Sequence, residues 1–93
     1  MIDVVCGVVR NEKGEYLITK RGDSKHFGKW EFPGGKVQTS ETYFESIIRE
    51  LKEELKIEVN PVSEIINYSF GRFNLIFILC ELSPSTKDIQ LTE

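Results

Sequence analysis

Three glutamates hold the most chemical promise in this chain. Glu50, Glu53 and Glu54 fall in a stretch without glycine or proline that runs from Thr39 to about Lys56. At 3.6 residues per helical turn, with Glu50 taken as zero, Glu53 lies at about 300° and Glu54 at about 40°. The three carboxylates would line one side of a helix. Like charges at these spacings cost about 0.2–0.5 kcal/mol per pair when nothing compensates them. A hard divalent cation turns that repulsion into binding, and oxygen donors with no His or Cys nearby suit Mg²⁺ or Mn²⁺ rather than zinc. A solvated acidic face is the alternative, with Arg49 pairing Glu45 and Glu53 at i,i+4, and for the helix alone it is the simpler reading.

A helix must hold these groups, and its apolar stripe is present. Phe44, Ile47, Ile48, Leu51 and Leu55 recur at three- and four-residue spacing. Thr39 or Ser40 is expected to cap the helix, which would place Glu41 in a first turn where the dipole favours a carboxylate. Glu54 lies at the edge of the apolar stripe, next to the core.

Strands account for the rest. Ile2 to Arg10 is rich in β-branched residues, Asn11 to Glu15 is a turn around Gly14, and Tyr16 to Lys20 resumes as a second strand, giving an antiparallel hairpin. Gly22 to Lys29 reads as a loop. Trp30 to Phe32 is a short strand that Pro33-Gly34-Gly35 is expected to interrupt. Ile57 to Ser69 and Arg72 to Leu82 form two more strands, with a turn at Pro84 to Thr86 and a further strand beginning over Lys87 to Glu93. The order β-β-β-α-β-β is α/β or α+β, with a mixed sheet and one long helix.

The 93 residues allow one small domain, spanning 1–93. Hydrophobic content of 40% against 29% charged excludes a disordered chain. A net charge of −3 and a pI near 5.2 leave no basic surplus to hold a nucleic-acid polymer. No apolar run reaches the roughly 20 residues of a membrane span, and the first residues do not read as a signal peptide, so none is expected. Cys6 and Cys80 sit singly in apolar runs and read as buried free thiols, so a cytoplasmic setting is expected.

The spacing ahead of the acidic helix is more specific. Gly35 is followed after five residues by Glu41, then after seven by Arg49-Glu50-Leu51-Lys52-Glu53-Glu54. This resembles the Nudix box, Gly-x5-Glu-x7-Arg-Glu-U-x-Glu-Glu-x-Gly-U with U apolar. Six of its seven fixed letters are present, and Leu51 and Ile57 fill the apolar positions. The run Trp30 to Val37 and the strand at Leu17 to Arg21 are similar to those of MutT-like nucleoside triphosphate pyrophosphohydrolases, and the resemblance covers about Val4 to Leu82.

The resemblance implies a Nudix fold and a Mg²⁺- or Mn²⁺-dependent hydrolase that splits a (deoxy)nucleoside triphosphate into monophosphate and pyrophosphate. Oxidised purine nucleotides and pyrimidine triphosphates are both candidate substrates. It also implies Glu50 and Glu54 as metal ligands, Glu53 as a direct or water-mediated one, and the Gly35 carbonyl as a backbone ligand. Glu50 would orient or deprotonate the attacking water. Arg49 would hold a catalytic glutamate in place, while Gly34 and Glu41 support the loop–helix geometry. Lys36 and Arg21 are phosphate contacts or solvated cations. His26 is a surface histidine or a phosphate contact, and Glu93 a terminal residue or an additional acid reaching the metals. Trp30 and Phe32 suit core packing better than base stacking. Phe70, Phe73 and Phe77 are assigned to the core, although Phe70 and Phe73 flank a turn that could edge a base pocket.

Two departures from the family pattern stand out. Lys56 occupies the place of the final glycine, which ends the helix in a left-handed conformation at about 1–2 kcal/mol for other residues. MutT-like domains also run on through more sheet and a second helix beyond the point where this sequence stops, so the domain is expected to be C-terminally short, either cut off there or completed by a partner subunit. One sheet face is therefore expected to be bare, or covered by a partner subunit in a homodimer. Hydrolysis of another nucleoside diphosphate derivative and a non-catalytic nucleotide-binding module are the alternatives.

Overall fold

The computed structural model describes residues 1–20 and 30–84. Seven elements follow in order: β1 (Ile2–Arg10), β2 (Thr19–Lys20), β3 (Trp30–Glu31), β4 (Gly34–Lys36), α1 (Tyr43–Leu55), β5 (Val59–Phe70) and β6 (Phe73–Leu82). Four of them make a mixed sheet in the order β4-β1-β6-β5, and β2 and β3 form a separate two-stranded ribbon. β1 and β6 run parallel from Ile2↔Phe73 to Arg10↔Glu81, while β1–β4 and β5–β6 are antiparallel. The fold is α+β, with one helix on a mixed sheet, as the sequence suggests.

α1 lies on the sheet face formed by Val5 and Val9 of β1 and Ile76, Ile78 and Cys80 of β6, all buried. Ile47 and Leu51 are the apolar helix residues buried completely there. A Cβ on Gly7 would stand 3.2 Å from both of their Cδ1 atoms, so the missing side chain sets how closely the helix rests on β1. Full burial of each such aliphatic side chain contributes about 1.5–3 kcal/mol. That exceeds the like-charge repulsion along the acidic side, so the helix tolerates its three glutamates. Tyr43 Oη donates to Asp3 Oδ2 (3.2 Å) and Asn74 Nδ2 to Asp3 Oδ1 (3.2 Å), tying the first turn of α1 to β1 and β6.

Several sequence expectations need correction. The cap is Thr42, not Thr39 or Ser40: its side chain accepts from the Glu45 N–H, and Glu45 returns a bond to the Thr42 N–H. That reciprocal pair satisfies two orphan donors at once, which the earlier residues cannot do. Glu41 therefore precedes the helix. Gly34 and Gly35 do not interrupt the ladder but belong to β4, paired with Cys6 and Val5. The Tyr16 hairpin shrinks to one Arg10↔Tyr16 bridge and a Leu17 N–H bond to Val9, with β2 turning to β3 instead. Phe44 and Ile48 flank the stripe and remain 39% exposed. Cys6 and Cys80 are free thiols, half-buried and buried respectively. The Gly22–Lys29 loop and the strand expected over Lys87–Glu93 lie outside the described residues.

The opposite sheet face is also apolar. Cys6 and Phe77 are in register with Ile66 of β5, and Val4 and Leu75 with Tyr68. Ile66, Tyr68 and Phe70 are 53%, 54% and 66% exposed. No helix among the described residues is long and apolar enough to cross a membrane.

Candidate active site

β4 brings the two glycines under the acidic side of α1. A Cβ on Gly35 would collide with the Glu50 carboxylate, and one on Gly34 with the Val5 carbonyl. Only glycine fits at position 34 against the β1 backbone, and at position 35 a side chain would displace the Glu50 carboxylate. The Gly34 N–H favours the charged form of the Glu54 carboxylate, against the burial that disfavours it. Glu50 and Glu54 are thus seated on the strand that precedes the helix, whereas a surface acidic stripe would point into solvent.

Arg49 organises the site with every N–H it has. Nε and Nη2 grip the two Glu41 oxygens, Nη2 also reaches the Lys36 carbonyl (3.2 Å), and Nη1 donates to Glu53 Oε1 (3.1 Å) and Glu50 Oε2 (3.3 Å). One guanidinium therefore links helix, strand and intervening turn, a task that suits its planar fork. The bond from Arg49, aided by the Gln38 N–H (2.9 Å), lowers the Glu41 pKa to about 2. The same Glu41 bond raises the Arg49 pKa, which keeps it cationic at any working pH.

Glu54 is shifted the other way. Burial raises its pKa first, then the charge of Glu50, with Glu31 and Glu53 adding to it. An all-oxygen set of mutually repelling carboxylates beside a glycine cradle fits a hard divalent cation. Among the described residues, no three His, Cys, Asp or Glu side chains converge as an ion would require. Glu53 explains this: its carboxylate is turned onto Arg49, and being 61% exposed against 14% for Glu50 it is free to swing back.

An open cleft of about 1110 Å³ begins at this acidic end. Gly34, Gly35, Lys36 and Glu54 line it beside Val4 and Cys6, their neighbours across the β1–β4 ladder, and Phe73, Leu75, Phe77, Phe32, Glu31 and Thr19 line the rest. Phe32 meets Phe77 edge-on, centroids 6.3 Å apart. Phe32 is a cleft wall, 38% exposed, and Phe70 is exposed too, so the core assignment fails for both. Burial and the Glu31 charge raise the Cys6 thiol to about 11, and burial raises Cys80 to about 12, so neither is a nucleophile near neutral pH.

Of the residues singled out from the sequence, the structure brings together Gly34, Gly35, Lys36, Glu41, Arg49, Glu50, Glu53 and Glu54. Arg21, His26 and Glu93 lie outside the described residues. Sequence reasoning missed Glu31 and Thr19 as cleft residues. A carboxylate between Trp30 and Phe32, directly ahead of the glycines, was the available signal for Glu31.

Comparison with known proteins agrees with this geometry. The profile of the NUDIX domain matches residues 2–90. An 8-oxo-dGTP diphosphatase of Escherichia coli (strain K12) is 39% identical over 72 residues, which is 74% of this chain and 56% of that protein. A CTP pyrophosphohydrolase of the same strain is 42% identical over 59 residues, covering 62% of this chain and 43% of that one. A MutT structure described for Aliivibrio salmonicida and Vibrio cholerae superposes with a TM-score of 0.76 at 39% identity, covering 84% of this chain and 63% of that one. The chain spans about half the length of the curated relatives it matches.

Proposed function

The chain belongs to the NUDIX family, and from that premise we propose that it is a single-domain hydrolase of nucleoside or deoxynucleoside triphosphates. The products are the monophosphate and pyrophosphate, formed by attack of water on phosphorus. The observation that carries this reading is the seating of Glu50 and Glu54 on the Gly34–Gly35 backbone at the mouth of an aromatic cleft. An acidic end suited to a cation and its phosphates adjoins an apolar end suited to a base. Relatives named for 8-oxo-dGTP and for CTP support the triphosphate class and leave the base open.

Glu50, Glu54, Glu53 and the Gly35 carbonyl would hold Mg²⁺ or Mn²⁺, which supplies positive charge for the phosphates and acidifies water. Arg49 holds Glu50 through Oε2, and Glu50 Oε1 orients or deprotonates the attacking water. Glu41 keeps Arg49 in place for that task. Lys36, exposed at the cleft mouth, contacts a phosphate oxygen, and Arg21 is assigned the same role.

The test is an assay with Mg²⁺ against a panel of nucleoside triphosphates, beside Glu54→Gln. Monophosphate and pyrophosphate from the parent, with turnover reduced by orders of magnitude in a folded variant, is the expected result. A folded parent that binds nucleotide without turning it over would make the chain a binding module.

A further inference from the structure

We propose that the Ile66 to Phe70 stretch of β5 pairs with the same stretch of a second copy, antiparallel about a twofold axis at Tyr68, so that two chains share one continuous sheet. Among the described residues β5 is the outer strand of the four, and the free N–H and C=O groups of an outer strand are a template for another. Register shifts at Pro61/Ser63 and Glu64/Ile66 spoil the first half of that edge. From Ile66 to Phe70 the ladder is unbroken and carries no charge, and Ile66, Tyr68 and Phe70 are each more than half exposed. This is the part of the edge that a second strand can meet.

The pattern then selects the register. Along an antiparallel strand, alternate residues direct their N–H and C=O groups to the inner neighbour and the others outward. Two copies related by a twofold match outward groups to outward groups when the axis passes through a residue. An axis at Tyr68 uses the whole unbroken stretch: Ile66 meets the partner's Phe70, Asn67 meets the partner's Ser69, and Tyr68 meets the partner's Tyr68. Apolar side chains then face apolar ones on the cleft side of the sheet. Asn67 and Ser69, in register with Ile76 and Asn74, face polar ones on the helix side. The same register carries Glu64 toward the partner's Arg72, at both ends of the contact. Both residues are exposed, and among the described residues no ion pair engages either. Arg72 is held in the turn just past β5, over the Phe73 ring and 5.9 Å from its centroid. Two opposite-charge pairs thus bracket an uncharged centre. Phe70 also lines the cleft, so the partner's Ile66 would stand at its rim.

The experiment is sedimentation velocity at low ionic strength on the parent, Glu64→Arg and Arg72→Glu, with circular dichroism confirming each fold. Neither residue lines the cleft. The parent should form a dimer, and its dissociation constant should rise about tenfold in either variant alone, where like charges meet at both ends. An equimolar mixture of the two variants should regain the parent's dissociation constant, because each then meets its complement. Oxidised Tyr68→Cys should also give a disulfide-linked dimer, since directly paired Cα atoms stand about 4.5–5.5 Å apart. The parent, with Cys6 and Cys80 alone, should not. A parent that stays monomeric at roughly millimolar concentration, single variants that dimerise as the parent does, a mixture no tighter than its components, or a Tyr68→Cys chain that does not cross-link overturns the proposal.

Discussion

Glu54 sits where its charge is disfavoured, by burial and by Glu50 one turn away. Replacing it by Gln keeps an oxygen for the Gly34 N–H while removing an i,i+4 repulsion, so in EDTA Glu54→Gln should be more stable by about 0.2–0.5 kcal/mol. Thermal melts should then cross over: millimolar Mg²⁺ raises the parent more than the variant, and parallel shifts would remove Glu54 from the cation site. Glu41 has the opposite sign. Its pKa falls from 4.5 to about 2 on folding, so its stabilising contribution is complete above about pH 4.5 and is lost as pH drops toward 2. Urea midpoints measured across that window should fall more steeply for the parent than for Glu41→Gln; identical slopes would show that the Arg49 clasp does not stabilise the fold.

At the level of elements, the end of α1 bears directly on the missing glycine. Lys56 takes φ 59° and ψ 33°, the left-handed cap that the box pattern implies, and its N–H bonds to the Leu51 and Lys52 carbonyls. Lys56→Gly relieves that strain but adds freedom to the unfolded chain, for a net gain of about 0.5–1 kcal/mol. A higher urea midpoint with unchanged nucleotide binding is expected, and a lower one would mean the lysine side chain stabilises the cap. This cap was legible because a spacing pattern fixed it. The helix start was harder, since Thr39, Ser40 and Thr42 are all plausible caps, and only the Thr42–Glu45 pairing separates them. β4 was hidden for a different reason: glycine disfavours strands in general. Here the close approach of Gly34 and Gly35 to β1 and Glu50 overrides that propensity. The eight site residues that converge were readable because the resemblance to the Nudix box named them; helical periodicity by itself grouped only Glu50, Glu53 and Glu54. Glu31 and Thr19 were not, because their place in the cleft depends on the pairing of β2 with β3.

For the molecule as a whole, that second face governs behaviour in solution. The helix covers one side of the sheet, while the other shows Ile66, Tyr68 and Phe70 on a long edge strand, the two rings stacked with centroids 6.5 Å apart. Aromatic side chains bury about 150–250 Å² each when covered. Half-exposed, these residues and Phe32 at the cleft rim together approach the roughly 300–600 Å² of the largest patch on a typical monomer. β5 carries no lysine or arginine, the usual protection of an exposed edge, and its only charge is Glu64. A net charge of −3 adds little repulsion between copies. Sedimentation should therefore show self-association that grows with concentration, and Ile66→Lys with Tyr68→Lys should shift the protein to monomer without unfolding it, since both positions are exposed. Because the same face floors the cleft, a bound nucleotide should also lower the binding of a hydrophobic dye in the parent. A parent that stays monomeric at high concentration would mean that this face is not sticky enough to recruit a second copy, and that the apolar floor serves the cleft alone.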